Sequence, residues 1–234
     1  IEGTMRSAFA NCGQVCLGTE RVYVERSIFD EFVGRLKEAA EGMKIGPPDD
    51  AEADMGPLVS LKHREKVLSY YQKAVDDGAT VVTGGGVPDM PAELAGGAWV
   101  QPTIWTGLPE SSTVITDEIF GPCVHLCPFD TEEEAIELAN SLPYGLASAI
   151  WSENITRAHR VAGQIRGMAL DRAVEIGGDP ETAGGQPDRR GDDIGKGQGA
   201  LRRLHRAPAT QVAGHRHRRR ADEIAAAFRL PVIG

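Results

Sequence analysis

The sequence predicts an α/β fold over residues 1–166, a largely parallel sheet with flanking helices, followed by a poorly ordered tail. Three observations carry this reading. Short β-branched strand patterns alternate with amphipathic helix patterns, the order that builds parallel sheets. Hydrophobic and charged residues make up 41% and 25% of the 234 positions, as in ordinary globular domains. After Arg166 the composition changes abruptly.

In chain order, Arg21–Glu25 is rich in β-branched and aromatic residues and reads as a strand. Ser27, three residues before Asp30, reads as a helix cap. Ile28, Phe29, Phe32, Val33, Leu36, Ala40 and Met43 follow at helical spacing, and Gly46-Pro47-Pro48 closes that region. Ser60 can cap a second helix carrying Val67, Leu68, Tyr71, Ala74 and Val75, ended by Gly78. Residues 79–82 read as a strand, 87–98 as a loop and 99–105 as extended. Residues 124–129 form another strand. Thr131 and Glu134 make a capping box before Ala135, Ile136, Leu138 and Ala139. Pro143-Tyr144-Gly145 stops that helix, 146–151 is an apolar strand, and 155–165 is a last amphipathic helix. No internal repeat is visible.

The formal charge of −9 argues against a general nucleic-acid binder. No apolar run reaches bilayer-spanning length, so no membrane partner is expected. No secretory pattern opens the chain. Four cysteines are too few for a disulfide-built scaffold, which places the protein in the reducing cytoplasm. The chain starts at Ile1 within what reads as a continuing segment, so an incomplete N-terminus is expected.

Residues 1–166 carry 13 Lys+Arg against 25 Asp+Glu; residues 167–234 carry 12 against 9. Of the aromatic residues, only Phe228 lies in the tail, which also has 11 Gly and 4 Pro. Such a segment offers little apolar burial to offset the entropy of ordering it.

Two places carry candidate chemistry. In Phe9-Ala10-Asn11-Cys12-Gly13-Gln14-Val15-Cys16, a cysteine shortly after a glycine and before a strand can occupy an uncrowded turn. A thiolate there is a strong nucleophile. Local sequence alone favours the plainer alternative, that Cys12 and Cys16 are small buried apolar residues. In Thr116-Asp117-Glu118-Ile119-Phe120-Gly121-Pro122, Glu118 and Phe120 would share one face of an extended segment. A carboxylate can accept both hydroxyls of a ribose, and an aromatic ring can pack on a flat heterocycle. The plainer alternative is a surface Glu beside a core Phe.

Phe9-x-Asn11-x-Gly13-Gln14-x-Cys16 resembles the catalytic-cysteine motif of the NAD(P)-dependent aldehyde dehydrogenase superfamily, and Glu118-Ile119-Phe120-Gly121-Pro122 resembles its second signature. Met55-Gly56-Pro57-Leu58, Gln101-Pro102-Thr103 and Asn140-Ser141-x-x-Tyr144-Gly145-Leu146 match in the same order. The stretches from Cys16 to Val24 and from His63 to Tyr71 are most similar to the 2-hydroxymuconic semialdehyde dehydrogenase subfamily of aromatic meta-cleavage pathways. The resemblance covers residues 1–166.

The resemblance implies a partial aldehyde dehydrogenase catalytic domain. Cys16 would add to the aldehyde, its own N–H helping to hold the oxyanion, and would pass through a thioester to a carboxylic acid. Glu118 would bind the nicotinamide ribose and Phe120 would pack beside the ring. Asn11 and Gln14 would shape the turn, and Cys12 would have no required role. The cofactor implied is NAD, with NADP left open, and the ligand is a small-molecule aldehyde. The family forms homo-oligomers.

The family's Gly-rich cofactor turn, its oxyanion Asn and its general-base Glu all precede the cysteine motif and have no counterpart here. After Gln164-Ile165-Arg166 the match stops, which marks residues 167–234 as a frameshifted or fused, non-homologous segment. The fragment is therefore expected to bind the dinucleotide weakly and to be inactive alone.

Two rival readings come from other classes. Cys12, Cys16, Cys123 and Cys127 could form a four-thiolate zinc site in a binding module, although Cys-x₃-Cys is a less typical zinc spacing. The basic run from His215 to Arg220 could contact nucleic acid, but it lacks interleaved aromatics and is diluted by acidic residues. The composition of the tail predicts that amide exchange shows no protection across residues 170–220. Slow exchange there would refute the entropy argument.

Overall fold

The computed structural model describes residues 1–166 in full and the backbone of residues 173–175. The expectations for the tail, its poor order and its basic run, lie outside the described residues except at that last strand.

Helix α1 (Glu2–Phe9) leads through a 3₁₀ turn and a bend into strand β1 (Arg21–Glu25). Helix α2 (Phe29–Glu41) follows, then α3 (Leu61–Asp76), β2 (Thr80–Thr83), β3 (Thr103–Thr106) and the single turn α4 (Thr113–Thr116). Strand β4 (Cys123–Phe129) precedes α5 (Glu132–Ala139), β5 (Ala149–Trp151), α6 (Ile155–Ala162) and β6 (Ala173–Glu175). The main sheet has the order β1-β4-β3-β2. Strand β4 is parallel to β1 and to β3, while β2 closes the edge antiparallel to β3. A second, two-stranded parallel sheet pairs β5 with β6.

Both faces of the main sheet are covered, as parallel sheets require. On one face Val22, Val24, Ile104, Val124 and Leu126 pack with Leu36 and Ala40 of α2 and with Ala8 and Phe9 of α1. On the other, Trp105 and Cys123 pack with Val67, Tyr71 and Ala74 of α3, together with Met55 and Leu58. Tyr71 meets Trp105 edge to face with ring centroids 5.5 Å apart.

Several caps form as their sequences predict. Ser60 accepts from the His63 N–H at the start of α3, and Thr131 accepts from the Glu134 N–H at the start of α5. The Glu134 carboxylate reaches back to the Asp130 N–H, one residue before the cap. Ser27 does not cap α2. Its hydroxyl donates to the Glu25 carboxylate, and a short 3₁₀ turn over Arg26–Ile28 precedes the helix. The extended stretch 99–105 becomes a strand only where β4 offers a partner, and the last helix ends at Ala162 rather than 165. Glu132 on α5 takes Arg160 at 2.6 Å and Arg157 at 3.7 Å, tying α6 beside it.

His125 is 2% exposed and lies in register with Arg21 on one side and Trp105 on the other. Burial, then the Arg21 charge, holds its pKa down to about 4 from an ordinary 6.5. The unfolded chain therefore takes up the proton first. Stability from the neutral imidazole is full above pH 6.5 and is lost as pH falls to about 4, on the order of 3 kcal/mol in all. Urea unfolding of wild type and His125→Leu at pH 7 and pH 4.5 is expected to show a smaller acid loss in the variant.

Candidate active site

The cysteine turn is built from backbone that few residues adopt. Asn11, Cys12 and Gly13 have φ of 50°, 60° and 68°, three left-handed residues in succession. Asn and Gly tolerate that region; Cys does so at a cost of about 1 kcal/mol. The turn is held by reciprocal amides. Asn11 Nδ2 donates to the Gln14 carbonyl at 3.0 Å, and Gln14 Nε2 donates to the Asn11 carbonyl at 3.2 Å. Gln14 Oε1 also accepts from the Val59 N–H at 2.9 Å. The Cys12 thiol is buried and donates toward the Gly56 and Pro57 carbonyls, and burial pushes its pKa up. The chain then makes a tight turn closed by the Gly18 N–H on the Val15 carbonyl at 2.7 Å. Cys16 sits inside that turn and is exposed.

The second motif is not a regular extended segment. Phe120 has φ of 63°, so strand alternation does not relate it to Glu118. Ile119 is 1% exposed and anchors the loop, while Glu118 is exposed and Phe120 half-buried. Four backbone groups around it are taken by side chains. Glu20 accepts from the Phe120 N–H at 2.7 Å and from the Ile119 N–H at 3.1 Å. Lys66 Nζ donates to the Glu118 carbonyl at 2.9 Å, and His63 Nε2 donates to the Phe120 carbonyl at 2.6 Å. Tyr70 donates to Asp117 at 2.9 Å. Burial raises the Glu20 pKa, opposed by the two amides it accepts.

The two motifs meet through backbone. A Cβ on Gly13 would overlap the Gly121 carbonyl and the Pro122 nitrogen. The cysteine turn and the Glu118–Phe120 loop are thus seated on each other, with Glu20 tying them a second time. Glu20, His63 and Lys66 were not singled out from the sequence as site residues. The available signals were a lone acid at the entry to an apolar strand, and two basic residues three apart on one helix face.

The zinc reading is overturned. Among the described residues no group of three or more His, Cys, Asp or Glu side chains could hold a metal ion. Cys123 and Cys127 are four residues apart on β4, about 13 Å along a strand. Cys123 is buried in the core with its pKa pushed well up, and Cys127 is pushed up to about 11, mainly by burial. No described helix is long and apolar enough to cross a membrane. A groove of about 460 Å³ between α1 and α2 is lined by Glu2, Met5, Phe9 and Met43 among others, and by none of Cys16, Glu118 or Phe120.

Comparison with known proteins agrees with the family resemblance. The model of the aldehyde dehydrogenase family matches residues 1–184. The chain belongs to the aldehyde dehydrogenase family. It is 80% identical over 165 residues to 2-hydroxymuconic semialdehyde dehydrogenase of Pseudomonas putida, covering 70% of this chain and 34% of that protein. It is 51% identical over 166 residues to 2-aminomuconic 6-semialdehyde dehydrogenase of a Pseudomonas species, again over 34% of its length. The NAD+ complex of an aldehyde dehydrogenase from Bacillus cereus superposes with a TM-score of 0.67 at 38% identity, covering 71% of this chain and 33% of that one. The chain thus spans about a third of the length of the curated family members it matches.

Two outcomes follow for this family member. Gly13→Ala is expected to cost on the order of 3 kcal/mol, because the new methyl meets backbone at a positive φ. Denaturant unfolding measures it, and a change under 1 kcal/mol would refute the docking. Limited alkylation with peptide mapping is expected to label Cys16 well ahead of Cys12, Cys123 and Cys127. Preferential labelling of Cys123 or Cys127 would count against the exposed turn.

Proposed function

We propose that residues 1–166 are the part of an NAD(P)-dependent aldehyde dehydrogenase that carries its nucleophile and part of its cofactor grip. The complete enzyme would oxidise a semialdehyde of the 2-hydroxymuconate type to the carboxylic acid. The segment after the family match, which runs to residue 184, is a separate one joined to it. The observation that carries this reading is the seating of the Asn11–Gln14 turn, two residues ahead of Cys16, on the Glu118–Phe120 loop through Gly13 and Gly121. The relatives named as semialdehyde dehydrogenases support the substrate class.

Cys16 is the nucleophile. Its thiolate adds to the aldehyde carbon, and the carbonyl electron pair moves to oxygen, where the Cys16 N–H helps to hold it. The residues present fit a nicotinamide nucleotide. Glu118 offers an exposed carboxylate to the ribose hydroxyls, and Phe120 a half-exposed ring to the base, on a loop whose backbone is fixed. When bound, the nicotinamide serves as hydride acceptor. Cys16 retains the acyl group as a thioester until water releases the acid and the thiol. Asn11 and Gln14 keep the turn in shape by their reciprocal hydrogen bonds.

Two experiments test this. The isolated 234-residue chain, given a semialdehyde and excess NAD, is expected to form no NADH. Cys16-dependent turnover would sink the fragment reading. Residues 1–166 exchanged into the matching third of the Pseudomonas putida relative are expected to support NADH formation. Cys16→Ala in that chimera should abolish it by about a thousandfold or more, and Glu118→Gln should raise the KM for NAD. Full activity with Ala at position 16 would overturn the nucleophile assignment.

A further inference from the structure

Glu20 stands outside every role described for the reaction, yet it makes the densest set of contacts to the Glu118–Phe120 loop. Its two carboxylate oxygens take two successive backbone N–H groups, Ile119 at 3.1 Å and Phe120 at 2.7 Å. Its own carbonyl accepts from the His125 N–H at 2.9 Å, which fixes it as the rung just before β1. The side chain is therefore anchored by the sheet at one end and grips the loop at the other. Phe120 needs that grip, since a bulky residue at φ of 63° is held only where its surroundings over-determine it. Lys66 and His63 hold the carbonyls of Glu118 and Phe120, but nothing else described takes these two amides.

The chemistry selects a glutamate. Each of the two amides is taken by a separate oxygen of one carboxylate. Glutamine offers one, and aspartate is a methylene too short to keep the same backbone rung. We infer that Glu20 is a positioning residue: it sets the backbone of Ile119 and Phe120, and so the presentation of Glu118 and Phe120 to a nicotinamide nucleotide. This rests on the cofactor contacts proposed above, and it adds that affinity for the nicotinamide half is controlled from the nucleophile's own segment, four residues after Cys16.

The test uses the full 234-residue chain, with amide exchange read by NMR and nicotinamide mononucleotide as the probe. In Glu20→Ala, exchange at Ile119 and Phe120 is expected to quicken by about ten- to a hundredfold. Val124 and Leu126 in β4 should be unchanged. Affinity for the mononucleotide should fall by about tenfold as the loop loses its preorganisation. Glu20→Gln, with one acceptor left, should fall between wild type and Ala in both readouts. A merely structural role would quicken exchange across β1 and β4 alike, and that result would overturn the proposal. So would unchanged exchange at Ile119 and Phe120, or unchanged affinity despite faster exchange. Should Glu20→Ala not fold, Glu20→Gln decides by the same two measurements. A wild-type chain that shows no mononucleotide-induced shifts at Glu118 or Phe120 would overturn the cofactor contacts themselves, and the role of Glu20 with them. Slow exchange without Glu20 would overturn Glu20 alone.

Discussion

The site depends on one close approach, the packing of the Gly13 backbone against the Gly121 carbonyl and Pro122. Peptide groups meet there with no room for a side chain, so the cysteine turn and the Glu118–Phe120 loop become one body. Such proximity imposes two demands. The turn must run through left-handed backbone at Asn11, Cys12 and Gly13, and the loop must do the same at Phe120. Both are met by side chains that occupy the peptide groups left without regular partners: Asn11 and Gln14 on one side, Glu20, Lys66 and His63 on the other.

The sheet makes that arrangement rigid. Strand β4 is central, parallel to both neighbours, with Cys123 to Leu126 fully buried. Its N-terminal end leads directly out of Gly121 and Pro122, and the Pro122 carbonyl accepts from the Thr103 N–H at 2.9 Å. Tyr71 extends the support from α3, its hydroxyl 3.0 Å from the Gln101 carbonyl and 3.2 Å from that of Pro122. The cost of burying polar groups shows beneath the site. His125 Nε2 and Trp105 Nε1 lie in adjacent strands without hydrogen-bond partners among the described residues.

Much of the scaffold was legible because its signals are local. Ser60 and Thr131 cap the helices they precede, since an N-cap needs only its own side chain and an N–H three residues on. Ser27 offered the same pattern and failed, because Glu25 sits two residues away and takes the hydroxyl. The two motifs stand out by their order in the sequence, but the spatial relation between Glu118 and Phe120 does not. Period-two alternation presumes extended backbone, and Phe120 has left-handed backbone for tertiary reasons. Glu20 was hidden for the same cause: its partners are about a hundred residues away, and no local pattern marks an acid that grips distant amides. The four-cysteine zinc reading fails because β4 spreads Cys123 and Cys127 along the strand and buries Cys123 in the core.

One consequence concerns chain length. Glu20 reaches the loop because the His125 N–H registers its carbonyl in the ladder, while Gly18 and Thr19 return the chain from the cysteine turn by bonds to Val15 and Ser7. The three residues between Cys16 and Glu20 therefore act as a fixed spacer, measured against the sheet at one end and the turn at the other. Inserting or deleting one residue would put a neighbour on the rung and turn the acid to the opposite face. Divergence in this segment can thus proceed by substitution and not by insertion or deletion.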